Sequence, residues 1–365
     1  MKINRIFGLL VIFTLIGSLL AACGAKPDNS ASSPAASTAP EAGKATDLKG
    51  KKIALVMQFN IGTFSAQYVE GVTEQVEKLG GKVTVFAADN DMAKMASNLD
   101  AAINQKFDGI LIDHGSADAL EAGVKRAVEK KIPVIAFDAL LKVPGVTSLE
   151  QGDQKMAELT LNQLAKDIGG KGNIVKVWVA GFAPMERRQI AYQDFLSKNK
   201  DIKEIATFGT AKDPALDTQA QMEAILKKYP NKGDIAAVWT AWDEFAKGAT
   251  RAIQQAGRTE IKVYGIDLSD EDLQLIQDPK ASWVASAAVD PKDIGRIQVR
   301  YLYQKLHGDQ TPETVVLEPV FISKEQLPKD KQVSTADLSQ YVKGWSGSEQ
   351  GYTDWLKELE KTAKK

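Results

Sequence analysis

The feature that most narrows the fold is an apolar run, a short polar turn, then apolar residues at helical spacing. It is first met at residues 52–71. Residues 53–57 (Ile-Ala-Leu-Val-Met) read as a buried strand, and Phe64, Tyr68, Val72, Val76 and Leu79 recur at the interval of one helix face. Strand, loop and helix make the first half of a βαβ unit, and the rhythm continues to about residue 310. Strands are expected at 82–87, 109–113, 133–138 and 146–149, with helices at about 91–104 and 117–131. A second round follows: helix 153–168, strand 173–179, helix 185–199, strand 203–208, helix 215–228, strand 235–239, helix 244–256 and strand 262–266. A strand at 281–288, a helix opened by Asp290-Pro291, a last strand at 313–321 and a helix at 352–363 complete the pattern. Strands alternating with helices of this length imply an α/β fold of parallel, doubly wound sheets, and two rounds imply two of them. Ligands of such sheets sit beyond the carboxyl ends of the strands. The loop holding Phe59, Asn60 and Phe64 is therefore expected to supply the first ligand contacts.

The ends of the chain differ from this middle. Residues 1–22 read as a secretory leader, with Lys2 and Arg5 ahead of an apolar core. The leader closes on Leu20-Ala-Ala-Cys23-Gly, which resembles the lipobox of bacterial lipoproteins, where cleavage leaves a cysteine that carries lipid. An uncleaved membrane anchor or a chance cysteine is the alternative reading. Cys23 is the one cysteine of the chain, so its lipidation leaves no thiol for a disulfide or a nucleophile. Residues 24–47 are rich in Ala, Ser, Pro and Gly and poor in large apolar groups, the composition of a tether. The folded part is thus expected to work just outside a membrane, held by a lipid anchor.

Composition excludes several function classes. The formal net charge is −1, so no basic excess offers itself to nucleic acid. Two histidines, His114 and His307, argue against a His-based zinc site and leave little for a Ser-His-Asp triad. No glycine-rich phosphate loop with Lys-Ser/Thr is present. No cofactor and no metal are expected.

Three segments together carry a family likeness. They are Ile-Ala-Leu-Val at 53–56 with Phe64 and Gly71, Ile-Pro-Val-Ile-Ala-Phe-Asp at 132–138, and Trp-Asp-Glu-Phe-Ala-Lys-Gly at 242–248 with Gly257 and Tyr-Gly-Ile-Asp at 264–267. In order and spacing the chain resembles the ribose/galactose-type periplasmic binding proteins, the solute receptors of ABC sugar importers, from about residue 51 to 320. The resemblance implies two α/β lobes joined by a three-strand hinge that close on a sugar. It places residues 49–150 with 290–319 in an N-terminal lobe, 151–289 with 320–330 in a C-terminal lobe, and 331–365 in an extension. Phe64 matches an aromatic that stacks on the sugar ring, with core packing as its alternative. Asp138 matches a carboxylate after the fourth strand, followed here by Ala139 rather than the family's frequent Arg. Arg188, with Arg187 as the register alternative, matches an arginine whose fork of donors holds ring oxygen and hydroxyls, against a surface pair with Glu186. Asp267 matches the second carboxylate, against a helix N-cap that Ser269 can supply instead. Trp242 stands where many relatives carry Asn, which puts ribose itself in doubt. Asp290 or Val289 stands where the ribose receptor has Gln. His114 is equally readable as a hydroxyl donor or a surface histidine, and Asn60 is a weaker polar candidate. For Asp113, Trp178, Phe182 and Trp283, core packing is the better reading.

The implied function is an extracytoplasmic, lipid-anchored receptor, monomeric and not an enzyme. It would capture a monosaccharide or polyol and pass it to ABC permease subunits. A sensor presenting the same ligand to a receptor kinase would have the same site. A hydrolase using Asp138 and Asp267 as an acid/base pair is disfavoured, because Arg188 beside them would keep both ionised. On this reading Asp267→Ala abolishes binding and leaves the unliganded melting temperature nearly unchanged.

Overall fold

The computed structural model describes residues 48–363 apart from residue 140. The leader, Cys23 and the tether lie outside the described residues. The first round of elements comprises β1 (Lys52–Met57), α1 (Gly62–Lys78), β2 (Lys82–Ala87), α2 (Met92–Asn104), β3 (Gly109–Asp113), α3 (Ala117–Glu129), β4 (Val134–Phe137) and β5 (Thr147–Gln151). The second comprises α4 (Asp153–Asp167), β6 (Gly172–Val177), α5 (Ala183–Lys198), β7 (Ile202–Phe208), α6 (Pro214–Lys228), β8 (Ala237–Thr240), α7 (Asp243–Gln255), β9 (Lys262–Ile266), α8 (Asp270–Gln277) and β10 (Trp283–Ala288). Then follow α9 (Pro291–His307), β11 (Thr314–Leu317), β12 (Val320–Ser323) and, after a long irregular stretch, α10 (Asp354–Ala363).

These elements form two six-stranded sheets, β11-β5-β4-β3-β1-β2 and β12-β10-β9-β8-β6-β7. The central strands β3, β4 and β8 are buried along their whole length, as parallel strands covered by helices on both faces must be. The outer strands β2 and β7 expose several residues and carry lysines, which suits an edge. Each sheet has its own core, built around Leu55, Leu111 and Phe137 in the first and Val175, Trp239 and Ile266 in the second. We refer to each sheet with its helices as a lobe.

The chain passes between lobes between β5 and α4, between β10 and α9, and between β11 and β12, and it returns to the first lobe ahead of α10. The first and third passages lie side by side, where the Gly152 amide donates to the Leu317 carbonyl at 2.9 Å. Helix α9 returns to the first lobe and crosses α1 at two facing glycines. A Cβ on Gly71 would lie 2.2 Å from the Lys292 carbonyl oxygen, and one on Gly295 would lie 2.5 Å from that of Tyr68. Only a hydrogen at both positions lets the backbones approach so closely.

The single strand expected at 313–321 is two. Pro319 has no amide to donate and interrupts the run, so β11 pairs parallel to β5 while β12 pairs antiparallel to β10 in the other sheet. The second sheet is therefore parallel except for one edge strand. Most other boundaries fall within two residues of those expected, with Ser269 capping α8 in a reciprocal box with Asp272.

Candidate ligand-binding site

In both lobes the strand order reverses direction beside the first strand, at β1 and at β6. Crevices open at such switch points, beyond the strand carboxyl ends, and here the two crevices face each other. Between them lies a cavity with about 670 Å³ of empty space, its open mouth included. Its lining comes from the segments after β1, β3 and β4 and the end of β5 on one side, and from those after β6, β7, β8 and β9 on the other.

Three of the lining residues share one backbone feature. His114, Asp138 and Asp267 each follow a strand with positive φ, 60°, 48° and 71°, a conformation that Asp and His tolerate better than most side chains. Each is still pinned by a ladder bond to the next strand: His114 N–H to Phe137 O at 2.8 Å, Asp138 N–H to Leu149 O at 3.0 Å, and Asp267 N–H to Ala287 O at 3.0 Å. The turn thus ends the strand and fixes the side chain at the cavity floor.

A buried charge network joins that floor. Arg188 Nε donates to Asp153 Oδ1 at 2.7 Å, and its terminal nitrogens donate to both Asp267 oxygens at 2.9 and 3.1 Å and to the Ala241 carbonyl. Gln151 Nε2 adds a longer bond to Asp267 Oδ1 at 3.3 Å. Arg187, on the same turn of α5, donates to Asp153 Oδ2 at 2.7 Å, pairs with Glu150 and reaches across to Asp138 of the first lobe. The sequence left Arg187 and Arg188 as alternatives, and the fold uses both: Arg188 lines the cavity and Arg187 ties the lobes together. Neither pairs with Glu186, whose carboxylate accepts from the Gly181 amide.

Burial opposes the charged form of both carboxyls, against the pull of the nearby arginines. Burial pushes Asp138 up to about 7, helped by the negative charge of Asp153 and opposed by Arg187 and His114. Burial likewise raises Asp267, against the pull of Arg188. For Arg188 burial works against the charged form, but Asp267 and Asp153 outweigh it and raise its pKa further. His114 is raised as well: burial opposes its charge, and Asp113, whose Oδ1 is 2.8 Å from Nδ1, overcomes that.

Above this polar floor the walls are apolar. Phe59 lies 4.9 Å from the His114 ring and 6.1 Å from both Phe182 and Trp242 of the other lobe, centroid to centroid. Phe64, Ile61, Val179, Pro184, Met185 and Ala211 complete the enclosure.

Of the residues singled out in the sequence, Phe64, His114, Asp138, Arg188, Trp242 and Asp267 line this cavity together. Asn60 does not, its side chain being exposed beside the loop. Asp290 does not either: it is the N-cap of α9, accepting from the Lys292 amide at 2.9 Å, and it borders a separate crevice with Trp345 and Ser346. The physical reason is position, since residue 290 starts a helix at a lobe crossing rather than ending a strand at the cleft. Asp113 and Phe182, expected in the core, line the cavity. Trp178 instead donates to the Met185 carbonyl, and Trp283 is fully buried in the second core. Gln151 was missed, although the end of β5 was a strand end like the others. Two buried oxygens in the lining, Asp138 Oδ2 and Gln151 Oε1, have no protein partner.

Fold and cleft together define a class, the two-lobed α/β binding proteins that hold a small solute between their lobes. The chain belongs to the periplasmic binding protein family, whose domain model matches residues 53–310, and within it resembles the ribose-type sugar receptors. It is 27% identical to the ribose import binding protein of Bacillus subtilis over 84% of this chain and 95% of that one. Among solved structures, a sugar ABC transporter protein from Yersinia enterocolitica is 37% identical with a TM-score of 0.84, covering 90% of this chain and 100% of its own. The 5-methylthioribose transporter solute binding protein of Thermotoga lettingae, in complex with 5-methylthioribose, is 33% identical with a TM-score of 0.83, covering 88% of this chain and 99% of its own.

Proposed function

We infer that the protein is the extracytoplasmic solute receptor of an ABC importer, anchored by lipid at Cys23, that captures a hydroxylated small molecule by closing its lobes. The N-terminal lobe is taken as 49–150 with 290–319 and the C-terminal lobe as 151–289 with 320–330. The observation that carries this reading is the pair of unpartnered buried oxygens, Asp138 Oδ2 and Gln151 Oε1, beside the Arg188–Asp267 pair in one cavity. A buried acceptor without a donor costs about 1–3 kcal/mol, and hydroxyls of a sugar or polyol supply donors to both. Contacts from each lobe make the closed arrangement the one that ligand favours.

The lining also narrows the ligand. Asp138, Gln151, Asp267 and Arg188 supply polar contacts, while Phe59, Phe182, Met185 and Trp242 offer no hydrogen bond through their apolar faces. A pentose with an apolar substituent uses both kinds of lining, and a fully hydroxylated hexose leaves more hydroxyls facing apolar groups at a cost. The 5-methylthioribose bound by the Thermotoga lettingae relative has this chemistry, which makes it the first ligand to test. In calorimetric titration, 5-methylthioribose is expected to bind at least about tenfold more tightly than ribose. Equal affinities would remove the apolar-substituent reading. Silence toward every sugar and polyol in a thermal-shift panel, where saturating ligand adds several kcal/mol, would remove the receptor reading itself.

A further inference from the structure

The C-terminal segment after β12 is fastened to both lobes. Its first part joins the second core through Val333, Leu338, Val342 and Trp345. The Thr335 amide donates to Asp270 Oδ1 at 2.6 Å and the Val333 amide to Gln277 Oε1 at 2.8 Å, both on α8. Its last part joins the first core through Leu356 and Leu359 of α10. There the Trp355 ring stacks on His307 at 4.1 Å and donates to Asp309, while Arg300 of α9 donates to the Ser348 and Gln350 carbonyls.

The change of lobe is abrupt. Trp345 is buried in the second lobe, and the Ser348 amide already donates to Asp293 of α9 in the first, at 2.9 Å. The intervening Ser346 and Gly347, and Gly344 before them, have φ of 64°, 71° and 89°, so the turn is coiled rather than drawn out. Three residues span at most about 10 Å fully extended. A second tie lies at the flank of the cleft. Gln67 of α1, one turn from Phe64, donates to Thr335 Oγ1 at 2.7 Å and accepts from the Asp270 amide at 3.3 Å.

We propose that this segment is a fourth link across the hinge, and that it limits how far the lobes separate when no ligand is bound. Lobe rotation must either stay within the slack of the 345–348 turn or pull Trp345 or Ser348 from its anchor. The Gln67–Thr335 bond adds a contact that exists only while the lobes are together. The inference rests on the two-lobe receptor reading but not on any ligand.

The test is small-angle X-ray scattering of the full, unliganded chain with a short Gly-Ser insertion after Gly347, which keeps both anchors and adds slack. The expected result is a radius of gyration larger than that of the unmodified chain, with the thermal midpoint nearly unchanged. The same insertion after the exposed Gly170, within one lobe, should leave the radius as that insertion's added mass alone predicts. Scattering from the two insertion variants that superimposes would overturn the proposal. Should the 347 insertion fail to fold, the same insertion after Ser346, which also lengthens the turn between the Trp345 and Ser348 anchors, decides: an enlarged radius supports the link, and an unchanged one refutes it. Because no ligand is added, failure here is separate from failure of the sugar titrations.

Discussion

Asp267 illustrates how a residue's surroundings change the meaning of its removal. As a ligand acceptor alone, it could be lost without cost to the unliganded protein. In the fold its carboxylate takes two bonds from Arg188, which is almost wholly enclosed. Asp267→Ala leaves that guanidinium beside Asp153 with half its partners gone. Breaking one side of a buried pair typically costs about 3–5 kcal/mol. The expected outcome is therefore a clear fall in the unliganded melting temperature as well as lost binding, and an unchanged midpoint would contradict the buried-pair account. The residue's place at a strand end was legible in its own sequence. Its partner was not, because Arg188 is 79 positions away and no local pattern links the two.

At the scale of elements, the buried strands were legible because parallel strands covered on both faces are unbroken apolar runs. Periodicity alone failed at the lobe change between β11 and β12, although the family resemblance drew a lobe boundary at 319–320. Residues 313–321 are one run in sequence and two strands in different sheets, because Pro319 and the crossing are matters of path rather than periodicity. The α1–α9 contact shows the same limit: Gly71 and Gly295 look like weak helix residues, yet they are where two helices touch. Gly71→Ala gains up to about 1 kcal/mol of helix propensity. Its methyl group meets the Lys292 backbone at 2.2 Å, and overpacking of that kind costs about 1–3 kcal/mol. Net destabilisation in urea unfolding is expected, and a raised midpoint would show that the helices can part without loss.

Closure of the whole molecule creates the electrostatics of the site. Asp138 belongs to the first lobe with His114, while Asp153, Arg187 and Arg188, which also act on it, stand on the second. With its folded pKa near 7 and its unfolded value near 3.8, the carboxyl is neutral more often in the folded than in the unfolded chain between those values. Its contribution to stability is full below the unfolded value and is lost as pH rises through about 7. Ligand hydroxyls that donate to Oδ2 favour the ionised form instead. Affinity should therefore fall by up to about tenfold per pH unit below 7 and level off above it. Titrations of Asp138→Asn should show no such slope, and a slope that persists would assign the proton elsewhere. The order of strands and helices and the repeated α/β round follow from local periodicity, which a single chain carries in itself, while the roles of Asp138 and Asp267 were what the family resemblance implied. The split of residues 313–321 into strands of two sheets, the pairing of Arg187 with Asp138 across the cleft, and the apolar walls opposite a polar floor arise only when distant segments pack. Those features depend on burial and proximity, and neither exists until the two lobes are built and brought together.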